Sequence, residues 1–433
     1  MPSLRSSLLF AALLAVPVTA TPRTTPPASG PVAPERAGER GGFSAERLGD
    51  LHRFLGQTTA PGAYLGGVSL LLRNGRIVDW RAHGHRDLER RQPMRRDDIF
   101  RIYSMTKTVA TVAVLRLVEQ GRIGLDDPIA KVLPELADLQ VASGTVAQPV
   151  LRPASTAITL RHLLTHTAGF PAGLPGDEAA AAILDRDDPH GARDLSDYVR
   201  RLAKAPLAAE PGTRFGYDGA GLEVAARLVE VLSGQDFDAY LQAQVLAPLK
   251  MHDTFFAVPG NKRGRVVDIT TMSDDGRLRI ADGPSARVPG DPLNAYPSAA
   301  GGLYSTAGDY ARFCQMLLDG GTLDGATVLG RKTVDLMMLN HLAGMLDPPV
   351  TQYSGAEGFG LGGYVVLDVA RRGVAGSPGQ FGWAGAASTT YFVDRQEGLA
   401  AILMLQHLPR PVARDLPRVA RRFQSVVYQA LVP

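Results

Sequence analysis

A serine and a lysine three residues apart are the first residues whose types and spacing point to chemistry. They are Ser104 and Lys107, in the stretch "IFRIYSMTKTVATVAVLRLVEQG" over residues 99–121. On a helix beginning at Ser104, positions i and i+3 share a face, so the hydroxyl and the amine could touch. A serine hydroxyl becomes a strong nucleophile when a base takes its proton, and a lysine can be that base only when its amine is neutral. The pair therefore predicts nucleophilic catalysis by Ser104.

The residues around this pair favour a chemical role for the lysine. The chain has six lysines among its 46 basic residues, and arginine could not replace one as a base because it keeps its proton in proteins. Val109, Val112 and Leu115 predict a buried helix, and both burial and the positive end of a helix favour a neutral amine. The alternative is a helix cap at Ser104 with a solvent-facing lysine.

Two later segments hold residues that could complete the site. "EPGTRFGYDGAG" places Tyr217 in a loop before a predicted helix, and "GQFGWAGAASTTYFVD" places a Trp-Ala-Gly triplet, beginning at Trp383, at the start of a predicted strand. With Ser104 and Lys107, these segments resemble the S-x-x-K, Y-x-N and K-T-G motifs of the serine β-lactamase and penicillin-binding protein superfamily. The resemblance is strongest to the β-lactamase-like (family VIII) carboxylesterases, relatives of class C β-lactamases. It covers roughly residues 43–430 and includes "ITLRHLLTHTAGF" and "GGLYSTAGDYARFCQMLLDGG".

The resemblance implies a role for each matching position. Ser104 would be the acylated nucleophile, and Lys107 would be the base or its partner. Tyr217 would pass the proton to the leaving group. The backbone N–H groups of Ser104 and Ala386 would form the oxyanion hole, where one such donor contributes about 2.7–4 kcal/mol. The residues implied in substrate binding are Trp383, Gly385 and Gly219. The resemblance implies no cofactor and no metal.

Two departures from the family motifs affect the expected substrate. Gly219 stands where the second motif has asparagine, so it cannot offer an amide to a β-lactam or a peptide. Trp383 stands where the antibiotic-directed enzymes keep a lysine, and an indole lines an apolar pocket rather than pairing with a carboxylate. The sequence therefore favours a carboxylesterase acting on small neutral esters. The alternatives are a β-lactamase or D-amino-acid peptidase of the same superfamily, and a non-catalytic ligand-binding homologue.

The elements that must position these residues predict an α+β fold. "YLGGVSLLLRNGRIVDWRAHGHRD" indicates two strands joined at Asn74-Gly75, and "GLGGYVVLDV", "AASTTYFVDRQ" and "LAAILMLQ" indicate antiparallel strands near the other end. A helix capped by Ser44 and a C-terminal helix would flank one antiparallel sheet built from both chain ends. Residues of about 125–295 show helical segments without a series of strands, so we expect a mainly helical inserted lobe within a hydrolase domain of residues 43–433.

The composition and the N-terminal segment concern location and partners. Of the 433 residues, 45% are hydrophobic and the net charge is +3, with no basic stripe typical of nucleic-acid binding. Residues 1–20 resemble a signal peptide, and residues 21–42 are rich in proline and glycine and predict a disordered linker. We therefore expect a secreted or periplasmic protein with no stable membrane anchor after processing and a small-molecule ester as its partner. Monomer and homodimer both remain open.

Three further residues have more ordinary interpretations. Cys314 is the only cysteine, so no internal disulfide can form, and we expect it to be a small buried hydrophobe. His162 and His166 have the i, i+4 spacing of a zinc pair. They lack the accompanying H-E-x-x-H glutamate, so we expect roles in packing and hydrogen bonding.

The export hypothesis predicts a defined processing site. The small residues Val18-Thr19-Ala20 follow the apolar segment, so the mature chain should begin at about Thr21. N-terminal sequencing of protein released from the native cell would check this position. Recovery of the full-length chain from the native cytoplasm would contradict it.

Overall fold

A large antiparallel sheet organises the protein, and the computed structural model describes residues 41–344 and 355–432. In chain order, the strands of these ranges are β1 (Gly66–Arg73), β2 (Arg76–Gly84), β3 (Phe100–Arg101), β4 (Gln140–Gly144), β5 (Pro149–Pro153), β6 (Thr270–Met272), β7 (Leu278–Ile280), β8 (Tyr304–Ser305), β9 (Thr322–Leu323), β10 (Ala326–Thr327), β11 (Glu357–Phe359), β12 (Tyr364–Val366), β13 (Phe381–Ala384), β14 (Thr390–Asp394) and β15 (Leu399–Leu405). Seven of them form the sheet, in the order β11-β12-β13-β14-β15-β1-β2.

The two chain ends meet where β15 pairs with β1, in a register that runs from Gly67↔Leu405 to Arg73↔Leu399. The β1–β2 turn uses Asn74 and Gly75 at φ 50° and 78°, the left-handed conformations that a two-residue hairpin turn needs. Seven of the eight residues of β1 are buried, because helices cover both faces of the sheet.

Helices pack on both faces. In the described ranges they are α1 (Ala45–Thr58), α2 (Thr106–Glu119), α3 (Leu160–Leu164), α4 (Glu178–Asp187), α5 (Leu195–Leu202), α6 (Ala220–Ser233), α7 (Phe237–Leu241), α8 (Pro284–Arg287), α9 (Ala307–Leu318), α10 (Arg331–Met337), α11 (Val369–Arg372) and α12 (Ala420–Tyr428). The terminal helices α1 and α12 pack on one face of the sheet and form one apolar cluster with side chains of that face, including Leu71 and Phe392. Helices α2, α6 and α9 share the larger cluster on the opposite face, which includes Leu70 and Ile402.

The predicted α+β fold is confirmed: the sheet is antiparallel, draws strands from both ends of the chain and is flanked by helices. The side chain of Ser44 accepts a hydrogen bond from the Arg47 N–H and caps α1 as expected. Cys314 is fully buried in α9, also as expected. None of the helices in the described ranges has both the length and the apolar character needed to cross a bilayer.

Three local predictions were wrong in detail. The helix after Ser104 begins at Thr106, because residues 103–105 form a tighter 3-10 turn. Residues 125–295 hold helices α3 to α8 but also two hairpins, β4–β5 and β6–β7. The first hairpin is largely exposed and the second has three-residue strands, so neither produces a hydrophobic alternation that the sequence could show.

The third correction concerns the Trp-Ala-Gly triplet, which lies at the end of β13 rather than at the start of a strand. That residues of about 125–295 form an inserted lobe stays a prediction. The predicted signal peptide lies outside the described residues, as does the predicted linker apart from its last two positions.

Candidate active site

Ser104 lies in a constrained turn between β3 and α2. Tyr103, directly before it, has φ 42°, a left-handed conformation that costs a non-glycine residue of order 1 kcal/mol or more. The turn is held at its start, where the Ile102 N–H donates to the Leu303 carbonyl at 3.0 Å, and at its end, where the Thr106 hydroxyl accepts from the Leu303 N–H at 3.1 Å. These bonds fix the position of the serine hydroxyl relative to the sheet.

Gly385 brings β13 against this turn. A Cβ added at Gly385 would lie 2.3 Å from the carbonyl oxygen of Ile102 and 2.2 Å from the Thr389 hydroxyl. Only a glycine fits this close approach. Gly385 would therefore act in substrate binding through the backbone. It brings Ala386, the next residue, to the pocket beside Ser104.

Lys107 is buried on the first turn of α2, with 4% of its surface exposed. Its Nζ donates to the Ser104 Oγ at 3.3 Å and to the Ala300 carbonyl at 2.7 Å, and it lies 4.9 Å from the centre of the Tyr217 ring. Within the described ranges no carboxylate lies within 4 Å of this amine. The amine is therefore held by a hydroxyl, a carbonyl and an aromatic ring rather than by a counter-ion.

Tyr217 lies just before α6, and its hydroxyl accepts a hydrogen bond from the Trp383 Nε1–H at 3.2 Å. The two rings pack with their centres 5.2 Å apart. Because the tyrosine oxygen receives its bond from the indole, its own O–H proton stays available for another acceptor. The structure thus brings together the side chains of Ser104, Lys107, Tyr217 and Trp383.

The ring of His166 packs against the ring of Tyr217. The two ring centres are 4.6 Å apart, and the His166 Nδ1 lies 3.4 Å from the Asp218 carboxylate. Burial is the main cause that lowers the pKa of His166, and the nearby Lys107 acts in the same direction while Asp218 opposes it. Helix α3 ends at Leu164, so the two histidines do not share a helical face. His162 instead completes a capping box with Thr159.

Gly219 lies beside Ala300. A Cβ there would lie 3.3 Å from the Ala300 Cβ, which is tighter than ordinary van der Waals contact. A side chain at the position that carries an asparagine in the family motif would therefore crowd Ala300. Neighbouring Asp218 caps α6 by accepting from the Gly221 N–H at 2.7 Å.

Glu223 is a residue of the site that the sequence did not indicate. It is 1% exposed, and its carboxylate accepts from the Ser298 hydroxyl at 2.5 Å and from the Ala299 and Ala300 N–H groups at 2.9 and 3.4 Å. Since the carbonyl of Ala300 receives the Lys107 amine, Glu223 positions the lysine through the loop of residues 298–300. Burial is the main cause that raises the pKa of Glu223 to about 7.

A pocket of about 310 Å³ opens beside these groups. Ser104 and Ala386 both line it, and among the described residues neither backbone N–H has a hydrogen-bond partner. Its lining residues are Ser104, Tyr217, Glu357, Tyr364, Arg372, Trp383, Ala384, Gly385, Ala386, Thr390, Phe392, Arg418, Ala420, Arg421 and Gln424. In the part of the chain that the structure describes, no three His, Cys, Asp or Glu side chains are grouped as metal ligands would be.

A serine, a buried lysine and a tyrosine at the end of strand β13 of an antiparallel sheet define a serine hydrolase of the β-lactamase-like class. The family model called Beta-lactamase matches residues 51–424, so the chain belongs to that family. Esterase EstB of Burkholderia gladioli is 32% identical over 362 residues, which cover 78% of this chain and 85% of EstB.

Solved structures give the same assignment. Simvastatin synthase (LovD) of Aspergillus terreus superposes with a TM-score of 0.76 at 25% identity, covering 89% of this chain and 98% of that one. EstCE1, described as a hydrolase with promiscuous acyltransferase activity, superposes with a TM-score of 0.70 at 25% identity, covering 90% and 99%. The predicted resemblance is confirmed, and the chain is a serine hydrolase.

Glu223 should make the stability of the protein depend on pH near neutrality. Its folded-state pKa of about 7 lies above its ordinary value of 4.5, so its contribution is fully present below pH 4.5 and is lost as the pH rises through about 7. One such group changes the free energy of unfolding by at most about 1.4 kcal/mol per pH unit. Urea unfolding between pH 5.5 and 8.5 should show this decline, and Glu223→Gln should flatten it.

Ser298→Ala serves as the directional control. The Ser298 hydroxyl stabilises the carboxylate and lowers the pKa of Glu223, so its loss should move the decline to higher pH. A Glu223→Gln protein with the same pH dependence as the wild type would show that another group titrates there.

Proposed function

We propose that this protein is a carboxylesterase that cleaves small esters, neutral around the reacting carbonyl, through an acyl-enzyme on Ser104. The observation that carries this proposal is the 3.3 Å contact between the Ser104 Oγ and the buried Lys107 Nζ, in a pocket that Tyr217 and Ala386 also line. A nucleophile, a base and a proton donor then face one cavity.

The acylation step follows from this geometry. Lys107, as the neutral amine, takes the Ser104 proton while the Oγ attacks the ester carbonyl carbon. The N–H groups of Ser104 and Ala386 stabilise the resulting oxyanion. Collapse of the tetrahedral intermediate breaks the bond to the alcohol oxygen, which takes the Tyr217 proton as it leaves. The tyrosine recovers a proton from the lysine, so the amine is neutral again.

Deacylation repeats these steps with water. The neutral Lys107 amine takes a proton from the attacking water by way of Tyr217, while the water oxygen forms the bond to the acyl carbon. When the tetrahedral intermediate collapses, the bond to the Ser104 Oγ breaks, the Oγ takes this proton back from Lys107, and the carboxylic acid leaves. An alcohol can take the place of water, which would transfer the acyl group to that alcohol. The likeness to EstCE1 over 90% of this chain favours this second reaction of the same intermediate.

The substrate class rests on Trp383 and Gly219. Trp383 puts an indole where the antibiotic-directed relatives keep a cation, and Gly219 offers no amide and has Ala300 beside it. Neither supports binding of a β-lactam or a D-amino-acid peptide at the reacting centre. A non-catalytic binder would not need a serine and a buried lysine in contact. We also propose that the protein works outside the cytoplasm, on the strength of residues 1–20.

The nucleophile and the base have separate tests. Ser104→Ala should abolish hydrolysis of p-nitrophenyl esters with little change in Tm, because the hydroxyl is at the pocket wall. Lys107→Arg keeps a cation but loses the removable proton, so its kcat/KM should fall at least about a thousandfold, within the range of general-base contributions. Steady-state kinetics on both variants would measure these losses.

An organophosphonate probe gives the control for this test. Intact-mass and peptide mass spectrometry should find one adduct, on Ser104, in the wild type and none in Ser104→Ala. An adduct on another residue would refute the nucleophile assignment, and a Lys107→Arg enzyme with a tenth of wild-type activity would refute the base.

Trp383 should control both the geometry and the substrate class. Trp383→Lys should weaken ester turnover because Tyr217 loses the indole N–H donor and the ring packed against it, and at best it should slightly raise cleavage of a chromogenic cephalosporin. Trp383→Phe is the matched control, since it removes the same donor without adding a cation. If Trp383→Lys kept full ester turnover and gained nothing on the anionic cephalosporin, Trp383 would not select neutral esters.

A further inference from the structure

The two residues directly after β15 join the two backbone segments that carry the proposed oxyanion donors. One donor, the Ser104 N–H, follows strand β3, and the other, the Ala386 N–H, lies in the turn of residues 385–389 between β13 and β14. The Thr389 hydroxyl donates to the Ile102 carbonyl at 3.4 Å, which is a long hydrogen bond between the two segments. Further contacts must therefore fix the distance between the two N–H groups.

Gln406 holds the strand that leads to Ser104. It follows the last residue of β15 and is buried. Its side-chain amide accepts a hydrogen bond from the Arg101 N–H at 2.7 Å and donates one to the Arg101 carbonyl at 3.2 Å. An amide side chain supplies both a donor and an acceptor, as a paired strand would. Strand β8 pairs with the other edge of β3, so the backbone three residues before Ser104 is held from both sides.

His407 holds the turn that carries the second donor. Its backbone N–H donates to the Ala387 carbonyl at 3.0 Å, and its carbonyl accepts from the Ser388 hydroxyl at 3.0 Å. Its buried ring is held at both nitrogens, with Nε2 2.9 Å from the Asp415 carboxylate and Nδ1 3.2 Å from the Thr270 hydroxyl. Ser388 has φ 67°, and such a left-handed conformation persists only where surrounding contacts impose it.

We propose that Gln406 and His407 are positioning residues, which together fix the separation of the Ser104 and Ala386 N–H groups. They are consecutive, so one short segment holds both parts of the oxyanion hole, Gln406 through its side chain and His407 through its backbone. The Thr270 N–H donates to the Gln406 carbonyl at 3.0 Å and ties this segment to β6. Donors fixed before the reaction stabilise an oxyanion without reorganisation. The inference rests on the proposed esterase function and assigns these two residues a part in it.

Gln406→Met tests the first of the two links. Methionine has a similar length and volume, but it cannot bond both backbone groups of Arg101. Oxyanion donors act in the transition state, so kcat for p-nitrophenyl esters should fall at least about tenfold while KM stays near the wild-type value. The loss should stay below the roughly hundredfold to thousandfold effect of removing a donor, because both N–H groups remain and are only displaced.

Two further variants accompany this test. Gln315→Met is the matched control for the loss of a buried amide, because Gln315 donates to Asp319 beside α9 and does not line the pocket. It should lower Tm without lowering kcat. Ser388→Ala tests the second link by removing one hydroxyl, and it should lower kcat by up to about tenfold, as the loss of one neutral hydrogen bond provides.

A trifluoromethyl ketone reports on the oxyanion hole directly. The Ser104 Oγ adds to its carbonyl carbon, Lys107 takes the serine proton, and the carbonyl oxygen becomes an oxyanion like that of the ester intermediate. Its inhibition constant should rise in proportion to the loss of kcat/KM in Gln406→Met and Ser388→Ala, and it should stay unchanged in Gln315→Met. The matched methyl ketone, which binds without forming the adduct, should inhibit all variants equally.

The outcomes separate this proposal from the function on which it rests. If Gln406→Met lowers Tm but keeps its kcat, or raises KM at unchanged kcat, the two residues do not position the donors and the proposal is wrong. If Gln406→Met does not fold, Ser388→Ala decides by the same criteria. If the wild type hydrolyses no ester, the esterase function fails and binding of the trifluoromethyl ketone decides: weaker binding to the variant supports the positioning, and equal binding or none overturns it.

Discussion

The placement of one buried amine determines how the rest of the site is built. The Lys107 Nζ lies between the Ser104 Oγ and the Ala300 carbonyl, with no carboxylate in contact among the described residues. Helix α2 positions Lys107, and the loop of residues 298–300 positions the Ala300 carbonyl. Glu223 holds that loop by three hydrogen bonds from α6, so its negative charge acts on the lysine only at a distance. The amine thus has two hydrogen-bond partners, and neither of them is a counter-ion.

The sheet contributes to the site through one close backbone approach. Strand β13 ends where Gly385 passes within contact of the Ile102 carbonyl, and this brings Ala386 to the pocket lined by Ser104. Both sides of this contact are rigid, because β13 is paired on both edges and the Ser104 turn is bonded to Leu303. Oxyanion stabilisation requires donors that are fixed before the reaction, and buried paired backbone supplies such rigidity.

The sequence predicted the parts of the site that lie in short motifs and missed those that tertiary contacts create. Ser104 and Lys107 are three residues apart, so one turn brings them together whether it is α-helical or 3-10. Glu223 was missed because it shares a helical face with Arg227 and Glu230, which is typical of a solvated surface. The loop of residues 298–300 covers only the first turn of α6, which contains Glu223. The sheet was predictable because its strands are apolar, whereas β4–β5 is exposed and gives no such signal.

Arg372 and Arg421 also line the pocket, and sequence reasoning missed both because α11 and α12 contribute to one cavity only in the fold. The indole of Trp383, in place of a cation, has an electrostatic consequence for Lys107. The interaction of two unit charges falls inversely with their separation, from about 4 kcal/mol at 4 Å in an effective dielectric of 20. A cation in the third motif would hold an anionic substrate group next to Lys107 and favour the charged amine. Because the indole of Trp383 carries no charge, the pocket wall beside Tyr217 draws no anionic substrate group towards Lys107.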